Sequence, residues 1–96
     1  MIDAPTKRWF EDALRHGTLK GLVDDLRAQG LSQVAIYVLF EGFTTILRGE
    51  GREADAEAVE DGAMDFIWGW CPKGKEWFDH GLTDQEVRAY RQANQG

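Results

Sequence analysis

The sequence has only one cysteine, Cys71, and this scarcity limits its covalent and metal chemistry. A single cysteine cannot form a disulfide within the chain, and it cannot supply a multi-cysteine zinc site. Most lone cysteines of this kind are small hydrophobic side chains in a core. We therefore expect a reducing compartment such as a bacterial cytoplasm, and no bound metal.

Long hydrophobic runs are also missing. The longest, from Val34 to Phe40, has seven residues, whereas a membrane-spanning helix needs about 20. The first residues, Met1 to Pro5, carry neither the basic nor the apolar part of a secretory signal. We therefore expect a soluble protein, and its 96 residues fit a single domain, 1–96.

Signatures of catalysis are missing as well. The sequence has no glycine-rich phosphate loop and no GxSxG motif, and neither His16 nor His80 belongs to a zinc-like ligand pair. The segment from Trp68 to Pro72 resembles the thioredoxin redox turn, but the second cysteine of that turn is absent. We therefore predict that the protein is not an enzyme and has no cofactor.

Acidic residues are plentiful, and their excess is confined to one segment. The net charge is −6. Residues 50–65 hold seven acids and one base, Arg52, whereas the other 80 residues hold ten acids and ten bases. Non-specific binding to nucleic acid or to anionic membranes needs a basic surface. We therefore expect no nucleic-acid partner and no membrane partner.

The first half of the chain shows the apolar spacing of helices. The first segment begins at Asp3 or Thr6 and ends at Gly17, and the second begins at Thr18 and ends at Gly30. Apolar residues recur three or four positions apart along one face of each segment. These faces consist of Trp9, Phe10, Ala13 and Leu14 in the first segment, and Leu19, Leu22, Val23 and Leu26 in the second.

A third segment begins at Ser32, which is a favourable helix N-cap with Leu31 and Ile36 around it as a hydrophobic staple. The apolar run after it would also suit a buried strand, but the pattern continues to Gly49, which is too long for a typical strand. We predict a central helix over about residues 32–48, covered on most sides. Its one narrow polar stripe consists of Gln33, Tyr37, Glu41, Thr44 and Arg48.

The remaining sequence predicts further helical segments and a short helical turn. The fourth helix follows the linker 49–51, ends at Pro72 and Gly74, and has an apolar face of Val59, Ala63, Phe66, Ile67 and Trp70. A short turn follows at residues 76–80. The last helix begins with a capping box of Thr83 and Glu86, flanked by Leu82 and Val87 as a staple. The predicted fold is therefore all-α, a compact bundle of four main helices plus a short helical turn.

The fourth helix carries what we call the acidic ridge, which consists of Glu53, Glu57, Glu60, Asp61 and Asp65. Four of these residues are spaced four apart, where like charges repel by a few tenths of a kcal/mol per pair, and the helix offers no cation to relieve them. Acids in a first turn favour the helix dipole, but Asp61 and Asp65 lie two to three turns further on. The ridge is interpreted either as a docking face for a basic partner or as a solvated surface.

Met64 and Trp68 lie on the same side of the predicted helix as the carboxylates, away from Val59, Phe66 and Trp70. Tryptophan is enriched at the energetic centres of protein interfaces. Alternatively, the loop from Cys71 to Phe78 folds back and covers Trp68. The predicted partner-binding residues are Glu53, Glu57, Glu60, Asp61, Met64, Asp65 and Trp68.

The segment from Leu26 to Gln33 looks like the turn of a helix-turn-helix motif, which would make the chain a transcriptional regulator. A reading helix should present polar and basic groups, but Val34, Ala35 and Ile36 follow instead. A second alternative is a structural or regulatory subunit of a homo-oligomer.

Small acidic helical domains of this length resemble bacterial immunity proteins, which neutralise toxin domains, and some phage-encoded inhibitors. No diagnostic motif of the nuclease-bacteriocin immunity group is present, so no residue role is transferred from that group. The resemblance implies a protein-binding module of the inhibitor or immunity type, with a more basic toxin or effector domain as its partner.

Overall fold

The computed structural model describes residues 4–69, 77–78 and 81–93. Within these ranges the chain forms helices and no strand, which confirms the predicted all-α bundle. The first three helices are α1 (Ala4–His16), α2 (Leu19–Ala28) and α3 (Gln33–Gly49). Helix α4 has an α-helical part (Glu53–Val59), a π-helical turn (Glu60–Met64) and a last α-helical turn (Asp65–Trp68), and α5 is Asp84–Ala93.

The predicted caps are formed. The Ser32 hydroxyl accepts a hydrogen bond from the Ala35 amide at 3.2 Å, so α3 begins at the expected place. The Thr83 hydroxyl likewise accepts from the Glu86 amide at 3.2 Å. Leu82 is buried beside this cap, as the staple predicts. These features depend on residues three to five positions apart, which explains why the sequence predicts them.

Helix α3 is the centre of the bundle. Its contacts extend to α2, α4 and α5, and Ile36, Phe40, Phe43 and Leu47 on its inner face are fully buried. The Phe10 ring of α1 packs on this face, 4.8 Å from Phe40 and 5.2 Å from Phe43 between ring centroids. Because this side of α3 forms the core, a major-groove reading role for the helix has little structural support.

The polar stripe of α3 faces other helices. Gln33 and Thr44 are buried, and the Gln33 amide donates a hydrogen bond to the Ile67 carbonyl at 2.9 Å. Further along the stripe, Glu41 pairs with Arg91 of α5, and Arg48 pairs with two acids of α4. The stripe is therefore the surface on which α4 and α5 are oriented.

The π-helical turn corrects one prediction about α4. The Asp65 amide donates to the Glu60 carbonyl five residues earlier, so this turn holds more residues than an α turn. Within this wider turn, which includes Met64, side chains are separated by smaller angles around the axis than in a regular α-helix. Met64 was predicted to lie away from Val59, but it is only 6% exposed and belongs to the same core cluster as Val59.

Helix α4 also ends earlier than predicted. Its last residue is Trp68, and Gly69 follows with a φ of +104°, a left-handed conformation that favours glycine. A Cβ on Gly69 would lie 3.1 Å from the Gly81 Cα. The Leu82 amide donates to the Trp68 carbonyl at 2.9 Å. This hydrogen bond joins the last residue of α4 to the segment that leads into α5.

Several sequence predictions fall outside the described residues. They concern the Asp3 start of α1, the side chains of Trp70, Cys71 and His80, and most of the predicted turn at residues 76–80. Within that turn, Trp77 and Phe78 form a bend. No helix among the described residues has the length and apolar character to cross a bilayer.

Candidate functional site

An open groove of about 560 Å³ lies between α3, the second half of α4 and α5. This volume is within the range of roughly 300–1,000 Å³ that is usual for ligand sites. Its apolar lining comes from Tyr37, Met64, Trp68 and Val87. Its charged lining comes from the acids Glu41, Glu60, Asp61, Asp65 and Asp84 and the bases Arg88 and Arg91. We call this feature the groove.

The groove gathers five of the seven partner-binding residues predicted from the sequence: Glu60, Asp61, Met64, Asp65 and Trp68. The other two, Glu53 and Glu57, lie on the earlier turns of α4 and do not line it. Both are exposed. The acidic ridge is therefore divided between an exposed first part and a second part that forms one wall of the groove.

The acids from Glu50 to Asp55 are neutralised by Arg52 of the same segment, by Arg48 near the end of α3 and by Lys7 of α1. The Arg48 guanidinium of α3 contacts Glu53 at 3.1 Å and Glu60 at 2.7 Å. Arg52 contacts Asp55 at 2.9 Å and Glu11 of α1 at 2.7 Å. Because Lys7 and Arg48 lie outside the ridge helix, the residue spacing within that helix does not indicate this compensation.

Arg52 also changes the ionisation of the acids around it. Its hydrogen bonds hold the pKa of Glu11 below the ordinary glutamate value. The pKa of Glu50 is lowered by Lys7 first and by Arg52 second, and the Lys7 ammonium lies 2.8 Å from the Glu50 carboxylate. These acids are therefore held as anions by the fold.

The acids from Glu57 to Asp65, apart from Glu60, are not paired in this way. Among the residues that the structure describes, Glu57, Asp61 and Asp65 make no ion pair with any cation. Burial raises the pKa of Asp65 above the ordinary aspartate value, and repulsion from Asp61 and Glu60 raises it further. Negative charge therefore remains uncompensated where α4 borders the groove.

Trp68 is half-buried and packs against Tyr37 of α3, with 5.1 Å between ring centroids and an interplanar angle of 52°. The alternative prediction was that the following loop covers Trp68. The described part of that loop covers Phe66 instead, because the Trp77 ring stacks on it at 5.1 Å and 13°. Trp68 keeps a surface that lines the groove.

The wall formed by α5 was missed by the sequence analysis. Arg91 forms an ion pair with Glu41, and Val87 of α5 is buried against the core. Arg88 lines the groove without an ion pair in the described part of the chain. The polar stripe of α3 was the available signal, because it includes both Tyr37 and Glu41, but its register with α5 depends on tertiary packing.

In the ranges 4–69, 77–78 and 81–93, no group of three histidine, cysteine, aspartate or glutamate side chains is arranged to hold a metal ion. His16 contacts the Asp12 carbonyl of its own helix at 2.8 Å. The groove is lined by carboxylates and aromatic rings. This combination is suited to binding cationic groups.

Comparison with known proteins gives no match: no family model, no curated protein and no solved structure is similar to the chain. The functional argument therefore depends on the geometry and charge of the groove and the acidic ridge.

Proposed function

We propose that this chain is a protein-binding module that docks onto a more basic protein through the acidic ridge and the groove beside it. The observation that carries the proposal is the uneven pairing of the acids. Glu57, Asp61 and Asp65 form no ion pair with a cation among the described residues. Arg48, in contrast, forms ion pairs with two acids, and Arg52 forms ion pairs with three.

Uncompensated charge on one face supports association more than it supports folding. Like charges four residues apart cost a few tenths of a kcal/mol per pair, whereas a single-sign surface accelerates encounter with an oppositely charged partner. The groove adds apolar contact area next to this charge, because Trp68 and Met64 line it. Charge at the rim and an aromatic anchor inside are the usual components of a specific interface.

The proposed biological role is that of an inhibitor or immunity-type protein in a bacterial cytoplasm. Such a protein covers a basic surface on a toxin or effector domain and so prevents that surface from meeting its own target. The support for this role is the acidic face of a small helical domain, together with the class resemblance described above.

The test uses the triple variant Glu57→Gln, Asp61→Asn and Asp65→Asn, which keeps side-chain shape and removes three negative charges. Proteins are captured from the native host with wild-type bait, and the recovered partner is titrated against wild type and variant at low and physiological salt. We expect a basic partner whose association rate falls in the variant, with a smaller difference at higher salt.

A matched control variant is Asp12→Asn, Asp24→Asn and Asp25→Asn. It removes the same charge from exposed positions on α1 and α2 and should change association much less. If the ridge variant binds with wild-type affinity at low salt, or if the control weakens binding equally, the proposed docking face is wrong.

One observation favours the alternative of a homo-oligomeric subunit. The outer side of α3 carries the half-buried apolar residues Val34, Val38, Leu39 and Ile46. A second copy packed on this side would bury them further. Sedimentation equilibrium of wild type and Val38→Lys tests this possibility, since an α3-mediated dimer would dissociate in the variant.

A further inference from the structure

We infer that the groove receives an arginine side chain from the partner, with its guanidinium between the Asp61 and Asp65 carboxylates and the Trp68 ring. This inference rests on the proposed function and specifies the chemistry of recognition at the same site. The occupant is a single extended cationic side chain, and the acidic ridge outside the groove contributes only long-range attraction.

The composition of the groove matches such a side chain. An arginine has an apolar stem of three methylene groups and a cationic head, and it usually buries the stem along an apolar surface. The half-buried rings of Tyr37 and Trp68 supply accessible apolar surface within the groove, and the buried Met64 and Val87 lie beneath it. The carboxylates of Asp61 and Asp65 border the same space.

The aromatic lining favours arginine over lysine. A guanidinium is planar, so it can stack on a ring face while it donates parallel hydrogen bonds to a carboxylate. Trp68 is the best ring for cation–π contact, and its partner Tyr37 lies 5.1 Å away in the same lining. A lysine ammonium has no plane to stack and is more strongly hydrated.

The chain itself already places guanidinium groups on neighbouring carboxylates. Arg91 pairs with Glu41 within the groove, and Arg48 binds Glu60 at 2.7 Å. Arg88 also lines the groove but forms no ion pair with any described residue. One part of the groove thus shows an arginine–carboxylate contact, and Asp61 and Asp65 are left for a guanidinium from outside.

The electrostatics of Asp65 agree with this geometry. Burial and the neighbouring acids Asp61 and Glu60 raise the pKa of Asp65, so its anionic form is destabilised in the free protein. A guanidinium placed between Asp61 and Asp65 would relieve this repulsion and restore the solvation lost on burial.

The experiment titrates the full chain with acetylated, amidated Gly-Arg-Gly and follows the Trp68 indole and Met64 methyl signals by NMR. Matched peptides carry lysine or citrulline, the neutral isostere of arginine, in place of the arginine. We expect the arginine peptide to shift both signals and to bind about threefold or more tighter than the lysine peptide, a difference of ~0.7 kcal/mol. The citrulline peptide should leave both signals unchanged.

Two variants locate the bound peptide. The double change Asp61→Asn and Asp65→Asn should weaken arginine-peptide binding about fivefold or more. The matched control is the double change Asp12→Asn and Asp24→Asn, which removes the same charge from exposed positions on α1 and α2 outside the groove, and its affinity should stay within about twofold of wild type. Both variants keep side-chain volume at positions outside the core, and an unchanged pattern of core methyl signals verifies folding.

The inference is overturned if citrulline shifts the two signals as arginine does, or if the control Asp12→Asn and Asp24→Asn weakens binding as much as Asp61→Asn and Asp65→Asn. It is also overturned if calcium chloride alone produces the same shifts at lower concentration, which would indicate a cation site. These outcomes are separable from the proposed function, whose test is the association rate of the recovered partner. If the ridge attracts the partner but no arginine enters the groove, the arginine peptide will not bind specifically in the titration. The association rate of the recovered partner will still fall in the triple variant.

Discussion

From Glu50 to Asp55, each carboxylate of the acidic segment contacts a cation, whereas from Glu57 to Asp65 only Glu60 does so within the described residues. The first half spans the linker after α3 and the first turn of α4, whereas the second half lies within α4. The first half is joined to α1 and α3 through Lys7, Arg48 and Arg52. In the second half, Glu60, Asp61 and Asp65 line the groove, and repulsion from Asp61 and Glu60 raises the pKa of Asp65.

This difference shows that neighbouring acids in one segment can have different roles. In the first half the charges serve the fold, because Lys7 of α1, Arg48 of α3 and Arg52 meet them. In the second half the fold provides no such cation, so the remaining charge is available to a partner. Net charge over residues 50–65 cannot separate these two situations.

The largest expected effect comes from breaking the paired half. Arg52→Met keeps an unbranched apolar stem but leaves Glu11, Glu50 and Asp55 without their shared cation. We expect a loss of about 1 kcal/mol in the free energy of unfolding, since such a network exceeds an isolated surface pair. Urea denaturation measures it. As a control, Arg88→Met should change stability by less than about 0.5 kcal/mol, and equal losses would contradict the distinction.

The second prediction concerns the π-helical turn in the unpaired half. Gly62→Ala should raise the free energy of unfolding by about 0.5–1 kcal/mol, because alanine restricts the unfolded chain. The new Cβ would meet only the Leu19 Cδ1 atom, at 3.8 Å. Gly69→Ala is the opposite case, because its φ is +104°, and it should destabilise. A lower thermal midpoint for Gly62→Ala would show that the turn requires glycine.

The third effect is smaller and opposite in sign between the two halves. Removing the unpaired charges with Glu57→Gln, Asp61→Asn and Asp65→Asn should leave stability equal or raise it by a few tenths of a kcal/mol. Asp55→Asn in the paired half should lower it by a similar amount, because it breaks the contact with Arg52 at 2.9 Å. Guanidinium denaturation at low salt compares them. Destabilisation by the triple change would mean that the second half also serves the fold.

The fourth prediction concerns the pKa values of two carboxyl groups, Glu11 beside the paired half and Asp65 in the unpaired half. Glu11 should titrate below the ordinary glutamate range because Arg52 binds it, and Asp65 should titrate above the ordinary aspartate range because of burial, Asp61 and Glu60. Carbon-13 NMR of the carboxyl groups measures both pKa values. Arg52→Met should return Glu11 toward its ordinary value and leave Asp65 unchanged.

These two shifts act on stability in opposite directions. Folding lowers the pKa of Glu11, so its contribution is present above its unfolded pKa and disappears as pH falls through its folded value. Folding raises the pKa of Asp65, so its favourable contribution is present at low pH and is lost as pH rises through its folded value. An Asp65 pKa below the ordinary range would contradict the unpaired state of the second half.

Much of the fold was predictable because its signals are local. The cap at Ser32 acts on an amide three residues later, and the capping box at Thr83 acts over the same distance. The length of α3 followed from an apolar pattern too long for a strand. These elements depend on neighbours along one helix, where sequence spacing and spatial distance correspond.

The candidate site was only partly predictable. The spacing of α4 placed Asp61, Asp65 and Trp68 together, and all three line the groove. The same spacing placed Met64 away from the core, but Met64, the last residue of the π-helical turn, is buried in it while it also lines the groove. Nothing in the spacing indicated that Arg91 of α5 forms part of the opposite wall.

The sequence by itself determined the helices, their caps and the concentration of acid in one segment, because each depends on residues within a few positions of one another. Tertiary structure decided the ion pairs that join separate helices, whereas the contacts of Arg52 with Asp55 and of Arg48 with Glu53 lie within five positions. Arg52 meets Glu11 across 41 positions and Lys7 meets Glu50 across 43, while Arg91 reaches Glu41 across 50. Ion pairs form where packing brings side chains within about 4 Å, and that distance has no counterpart in the order of residues along the chain.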